Sequence, residues 1–234
     1  MADRDVSLIT GSSKGIGKAI ALMLAKENHN VMLFGRDINA LNEVQTQVKN
    51  LGVESEYFAG DVSDYNFAEI SISSILKKYG KIDHLINNAG IGILKKLVDS
   101  TQDEFKRQID VNLIGVYNFT KCVVDNMIER KSGSIINIAS LAGKNSFVGG
   151  TMYSATKHAL LGFTRSLMLE LRGYNIRVAA VCPGSVSTEF NPAHDPKRKI
   201  LQADDVAETV SLILKLPPRA LASEIDLRPT NPNG

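Results

Sequence analysis

The feature that most limits how this chain can fold is a regular alternation of short apolar runs with longer stretches of helical spacing. The runs are Val6-Ser7-Leu8-Ile9, Val31-Met32-Leu33-Phe34, Tyr57-Phe58-Ala59, His84-Leu85-Ile86, Ser134-Ile135-Ile136-Asn137-Ile138 and Arg177-Val178-Ala179-Ala180-Val181. They are apolar at consecutive rather than alternate positions, as expected of strands buried on both faces. The intervening residues 15–26, 39–51, 66–79, 102–130, 153–172 and 203–216 place apolar side chains three and four apart, the spacing of helices with one face on a core. Strands and helices in turn predict an α/β fold, a doubly wound parallel sheet flanked by helices on both faces. A last alternating run, Glu224-Ile225-Asp226-Leu227-Arg228 ahead of Pro229 and Pro232, reads as an edge strand. With 234 residues, no internal repeat and no low-complexity linker, residues 1–234 read as a single domain.

Composition removes several classes of function. Lys and Arg total 27 against 25 Asp and Glu, a net charge of +2, which provides no dense basic face for nucleic acid. Lys197-Arg198-Lys199 reads as a solvated loop. No stretch approaches the length of a membrane span, and Met1-Ala2-Asp3-Arg4-Asp5 is too polar to open a signal peptide. A soluble, cytoplasmic protein is expected. Cys122 and Cys182 lack disulfide or metal spacing and read as reduced thiols, and His29, His84, His158 and His194 are scattered, so no metal is expected.

Right-handed crossovers bring the loops that follow parallel strands together at one sheet edge, where ligands of doubly wound folds bind. The first such loop is Thr10-Gly11-Ser12-Ser13-Lys14-Gly15-Ile16-Gly17, opening directly into helical spacing. Its position suits a dinucleotide: Gly11 for the turn, Gly15 for close approach of the pyrophosphate, Gly17 for helix packing, and the helix N-terminus for the phosphates. The spacing G-x-x-x-G-x-G also fits a plain structural turn. About 20 residues on, at the adenosine ribose, stand Gly35-Arg36-Asp37. Gly35 occupies the place of an acid that would grip a 2′-hydroxyl, while Arg36 can clasp a 2′-phosphate and Lys14 adds a second cation, favouring NADP(H). In the competing reading Arg36 is an exposed loop cation and Asp37 contacts the ribose; Asp37 equally suits a helix cap.

Downstream lie Asp61-Val62, Asn87-Asn88-Ala89-Gly90, Asn112, Ser140, Tyr153-Ser154-Ala155-Thr156-Lys157 and Pro183-Gly184. Tyr153 and Lys157 are four apart and share a helix face, so an ammonium there is expected to lower the phenol by one to three units from its usual value of about 10. Singly, such a pair also fits an amphipathic helix edge, Ser140 a helix cap, Asn112 a helix kink and Asn87 sheet-edge hydrogen bonding.

In this order, and across almost the entire chain, these motifs resemble the short-chain dehydrogenases/reductases, with some likeness to 3-oxoacyl-[acyl-carrier-protein] reductases. The resemblance implies hydride transfer between NADP(H) and a carbonyl carbon. Tyr153 would be the general acid/base, Lys157 its tuning cation and a ribose contact, Ser140 the group that polarises the substrate oxygen, and Asn112 the holder of a relay water. The cofactor would lie along Gly11, Ser13, Lys14, Gly15, Ile16 and Gly17, with Arg36 at the 2′-phosphate and Asp61 and Val62 at the adenine. Asn88, Ala89 and Gly90 would follow the ribose edge, with Pro183, Gly184, Val186 and Thr188 at the carboxamide.

Substrate is less legible. About twenty residues separate Pro183-Gly184 from the helical spacing at Ala203, so the lid reads as short, and Leu94, Leu141, Phe147, Val148 and Phe190 either border an open cleft or pack in the core. A 3-oxoacyl thioester or a general ketone is expected, with a sugar, pterin or steroid ketone as rivals and a catalytically silent NADP(H)-binding regulator as the non-enzyme reading. If an acyl-carrier protein delivers the substrate, Arg130, Lys131 and Arg172 at helix ends offer its acidic face a landing site. The ending from Arg228 departs from the family's glycine-rich pattern. Family resemblance implies a homotetramer, with a dimer next.

Overall fold

The computed structural model describes residues 4–190 and 200–231. The first three residues, His194, Lys197-Arg198-Lys199 and residues 232–234 lie outside that range. The strands are β1 (Val6–Thr10), β2 (Asn30–Gly35), β3 (Ser55–Ala59), β4 (His84–Asn87), β5 (Gly133–Ile138), β6 (Ile176–Pro183), β7 (Val186–Ser187), β8 (Leu201–Gln202) and β9 (Glu224–Leu227). Seven of them form one sheet in the order β3-β2-β1-β4-β5-β6-β9 with every pairing parallel, while β7 and β8 pair outside it. The helices are α1 (Gly15–Lys26), α2 (Ile38–Lys49), α3 (Tyr65–Tyr79), α4 (Gln102–Ile109), α5 (Gly115–Arg130), α6 (Thr151–Leu171) and α7 (Ala203–Lys215).

Unbroken apolar runs arise because neighbouring residues on a strand feed opposite layers. Ile9, Leu33, Ile86, Ile136 and Ala179 pack with Ile20, Leu41 and Val206 of α1, α2 and α7. One position earlier on each strand, Leu8, Met32, Leu85, Ile135 and Val178 pack with Ile72, Phe119 and Val123 of α3 and α5. Helix starts are marked by side chains that accept otherwise unpaired amide hydrogens: Asp37 from Ala40 N on α2, Asp64 from Asn66 N on α3, and Thr101 with Glu104 in a reciprocal pair on α4. Asp37 thus has the capping role.

Two tertiary details were not anticipated in the sequence reading. Residues 102–130 are not one helix: α4 and α5 are joined by a π turn, Asp110–Ile114, centred on Asn112. His29 and His84, far apart in sequence, adjoin with their rings tilted and centroids 5.3 Å apart, and Asp5 accepts from His84 at 3.2 Å. The strand order reverses between β1 and β4, which opens a crevice at their carboxyl ends.

Candidate active site

That crevice is a cleft of about 1090 Å³. Its floor is the loop between β1 and α1. Gly11 and Gly15 have φ of +64° and +54°, the left-handed region that favours glycine. A side chain on Gly11 would also meet Ala89 Cα at 2.8 Å. Gly17 lies off the cleft, packed so tightly that an added Cβ would sit 2.2 Å from Gly11 O. Its role is the helix packing expected of it. α1 begins without a side-chain cap and has no acid in its first turn, so its leading amides face the cleft beside Ser13, Lys14, Gly15 and Ile16. Thr10 fastens the opposite lip: its hydroxyl accepts from Asn88 N and Ala89 N at 3.0 Å.

Gly35 and Arg36 line the cleft, and Arg36 has no ion-pair partner among the described residues. Lys14 does: its Nζ is 2.5 Å from Glu189 Oε2, so the second expected phosphate cation is already paired. Asp61 and Val62 form the adjoining wall. Burial opposes ionisation of Asp61, but hydrogen bonds from Arg107 and Ser63 outweigh it and hold the carboxyl at about 2. Arg107 also lines the cleft and is absent from the sequence reading, because it comes from α4 with no motif around it. Asn88 and Ala89 are on the wall as expected, yet the Asn88 amide is spent on Thr10 O and Gly11 O, both at 3.0 Å. Asn87 is structural, donating to Asn137 at 2.9 Å within the sheet.

Tyr153, Lys157 and Ser140 meet on the far wall together with Gly90. Ser140 ends the run after β5 and caps a short 3-10 turn, accepting from Ala142 N at 3.1 Å. This turn is pressed onto α6: a Cβ on Gly143 would lie 2.8 Å from Lys157 O. The contact brings Ser140 and Tyr153 to the same wall of the cleft. Burial pushes the Tyr153 phenol above its usual pKa, and the nearby Ser140 hydroxyl pulls partly against it. The expected lowering by Lys157 is therefore corrected. The lysine Nζ donates to Ile138 O at 3.0 Å and stands 5.8 Å from the phenol ring centre, and burial takes its own pKa to about 8. The ammonium is directed at Ile138 O and does not offset the burial of the phenol.

Asn112 does not line the cleft. It clasps Ile91 through both backbone groups, accepting from Ile91 N at 2.8 Å and donating to Ile91 O at 2.9 Å, and it donates to Thr156 at 3.0 Å. Its Oδ1 would still be 3.3 Å from a Cβ on Gly90, and Lys157 Nζ 3.8 Å from the same point. Asn112 thus ties the Gly90 loop to α6.

Pro183, Gly184, Val186 and Thr188 complete the cleft beside Leu94, Leu141, Phe147 and Phe190. Phe190 is tilted over Tyr153 at 6.0 Å and would be 2.6 Å from a Cβ on Gly92. Leu94, Phe147 and Phe190 are about half exposed, so they border an opening rather than a core. Val148 is exposed and off the wall. Glu189 and Arg228 also line the cleft and were missed. Of the three cations offered as a landing site, Arg130 is taken up by Asp83 and Ile82 O.

A family model described as short chain dehydrogenase matches residues 5–199. The chain belongs to the short-chain dehydrogenases. It is 35% identical over 225 residues to an uncharacterised oxidoreductase of Staphylococcus aureus (strain USA300), covering 96% of each chain. An alcohol dehydrogenase from the archaeon Thermococcus sibiricus, complexed with 5-hydroxy-NADP, superposes with a TM-score of 0.91 at 32% identity, covering 97% of both chains. An NAD+-bound xylitol dehydrogenase superposes with a TM-score of 0.89 at 27% identity, covering 98% of this chain and 100% of its own. The chain is thus an oxidoreductase of the short-chain dehydrogenase type, and nicotinamide dinucleotides occupy its structural neighbours. Among the described residues no helix is long and apolar enough to cross a membrane.

Proposed function

We propose that this short-chain dehydrogenase interconverts a ketone and a secondary alcohol with NADP(H), and that Tyr153 is its general acid/base. The observation that carries the reading is that Ser140, Tyr153 and Lys157 line one cleft together with Gly11 and Gly15 of the glycine loop. The residues present suit a dinucleotide. The uncapped start of α1 offers free amides to phosphates, and Gly11, Gly15 and Gly35 leave room where side chains would intrude. Arg36, without a described partner, favours a 2′-phosphate, and the absence of an acid at Gly35 removes the usual grip on a 2′-hydroxyl.

When bound, the nicotinamide supplies or accepts the hydride. The chain's own residues handle the proton and the charge. Adding hydride to a carbonyl leaves negative charge on oxygen, and an alkoxide is far more basic than a phenolate. A phenol kept protonated by burial is therefore a competent donor in the reductive direction, giving its proton to that oxygen. The Ser140 hydroxyl donates a hydrogen bond to the same atom as charge develops. Lys157 and Asn112 support the site, the lysine as a donor at the ribose edge and the asparagine by holding Ile91 and α6 in register.

The cleft's apolar border suits a bulky or extended ketone, 3-oxoacyl thioesters among them. A panel of carbonyl compounds followed by loss of NADPH absorbance tests the reading. Turnover with NADPH at least about tenfold above NADH is expected, with the preference reversed or abolished in Arg36→Asp. No turnover of any ketone, or an NADPH affinity unchanged in that variant, would contradict it.

A further inference from the structure

We propose that Arg228 forms an anion-binding subsite at the substrate end of the cleft, so that the favoured ketones carry a carboxylate or phosphate. This deepens the reductase reading above and rests on it. β9 places the residue: Leu227 O accepts from Gly184 N at 2.8 Å, and a Cβ on Gly184 would be 3.3 Å from Leu141 Cδ1 and 3.6 Å from Pro229 Cδ. Arg228 and Pro229 therefore join the cleft wall beside the Pro183-Gly184 loop and the residue that follows Ser140. Through Gly184 and Leu141 they adjoin Ser140, the residue proposed to hold the substrate oxygen.

Local charges leave this guanidinium with capacity to spare. Lys144 bridges Glu224 and Asp226 at 2.5 Å each, and Arg165 takes Glu224 through two hydrogen bonds at 3.0 and 3.2 Å. Both carboxylates are thus engaged before Arg228 arrives, and its contact with Asp226 is a long 3.4 Å. Lys144, Arg165 and Arg228 against Glu224 and Asp226 make three cations to two anions. The excess positive charge falls on the one member of the five that lines the cleft, and its side chain is 56% exposed. Of the other cations on the wall, Lys14 is paired with Glu189 and Arg107 with Asp61, and Lys157 is buried beside Tyr153. Arg36 belongs to the adenosine end. A planar guanidinium with free N–H groups matches a carboxylate or phosphate in a forked pair. Leu94, Phe147 and Phe190 line the same cleft, so it offers a ligand apolar surface as well as this cation.

Pairs of ketones with and without an anionic group test this. One pair is 3-benzoylpropionate and its methyl ester; the other is acetoacetyl-coenzyme A and acetoacetyl-N-acetylcysteamine. In the wild type the anionic member of at least one pair is expected to have the higher kcat/KM, mainly through KM. In Arg228→Met that preference should fall about tenfold or more, with Arg228→Lys in between. The pair that responds identifies the source of the anion. Calorimetric binding of 3-benzoylpropionate and of coenzyme A to the protein saturated with NADP+ gives a second readout, expected to weaken tenfold in Arg228→Met for the responsive anion. If no ketone turns over, the reductase reading fails while the binding arm still decides the subsite. Equal preference and equal binding of both anions in the wild type and Arg228→Met would overturn it.

Discussion

Lys157 is buried, and burial brings its pKa from 10.5 in free lysine to about 8. Below pH 8 both the folded and unfolded chains hold the proton, and the folded state bears the full cost of a buried ammonium. Between pH 8 and 10.5 the unfolded chain binds a proton that the folded chain lacks, so stability rises with pH in that window. In cofactor-free protein, the unfolding free energy of the wild type relative to Lys157→Met is expected to rise by up to about 3 kcal/mol from pH 7.5 to 10.5. Denaturant titrations at several pH values check this; a flat difference would mean the ammonium is well solvated. At this scale the sequence revealed Ser140, Tyr153 and Lys157 because each sits in a recognisable local pattern. It did not reveal Arg107, Glu189 or Arg228, which reach the cleft from elements with no motif of their own. It also misjudged the phenol, since four-residue spacing gives proximity but not whether an ammonium is desolvated.

Among the elements, the parallel strands were readable because neighbouring residues of each strand are both buried, and the start of α2 because Asp37 precedes it. The π turn between α4 and α5 was not. Its cause is tertiary: Asn112 exchanges two hydrogen bonds with Ile91, 21 positions earlier, and no local rule anticipates that partner. Removing the amide leaves the Ile91 N–H and C=O unpaired in a half-buried loop. Asn112→Ala is therefore expected to lower stability by about 2 kcal/mol and to raise protease sensitivity at residues 90–95. Thermal unfolding and limited proteolysis would show it; a variant as stable as the wild type would assign those two bonds no net value.

Over the whole molecule, a parallel sheet with helices on both faces was foreseeable from strands alternating with helices, and the cleft follows from the reversal of strand order between β1 and β4. Assembly was not legible, because the exposed apolar side chains Ile114 and Tyr117 on the π turn and α5 and Leu169 on α6 are interspersed with charge. We propose that these faces build a homotetramer, for which light scattering should give about four times the mass of the 25.5 kDa chain; a stable monomer at micromolar concentration would exclude it. The account as a whole depends on one proton leaving one phenol. Single-turnover oxidation of NADPH by Tyr153→Phe, with a ketone that the wild type reduces and with cofactor affinity measured alongside, tests that dependence. A rate loss of about a thousandfold with cofactor binding retained is predicted; a rate equal to the wild type's would contradict the assignment of Tyr153 as the acid.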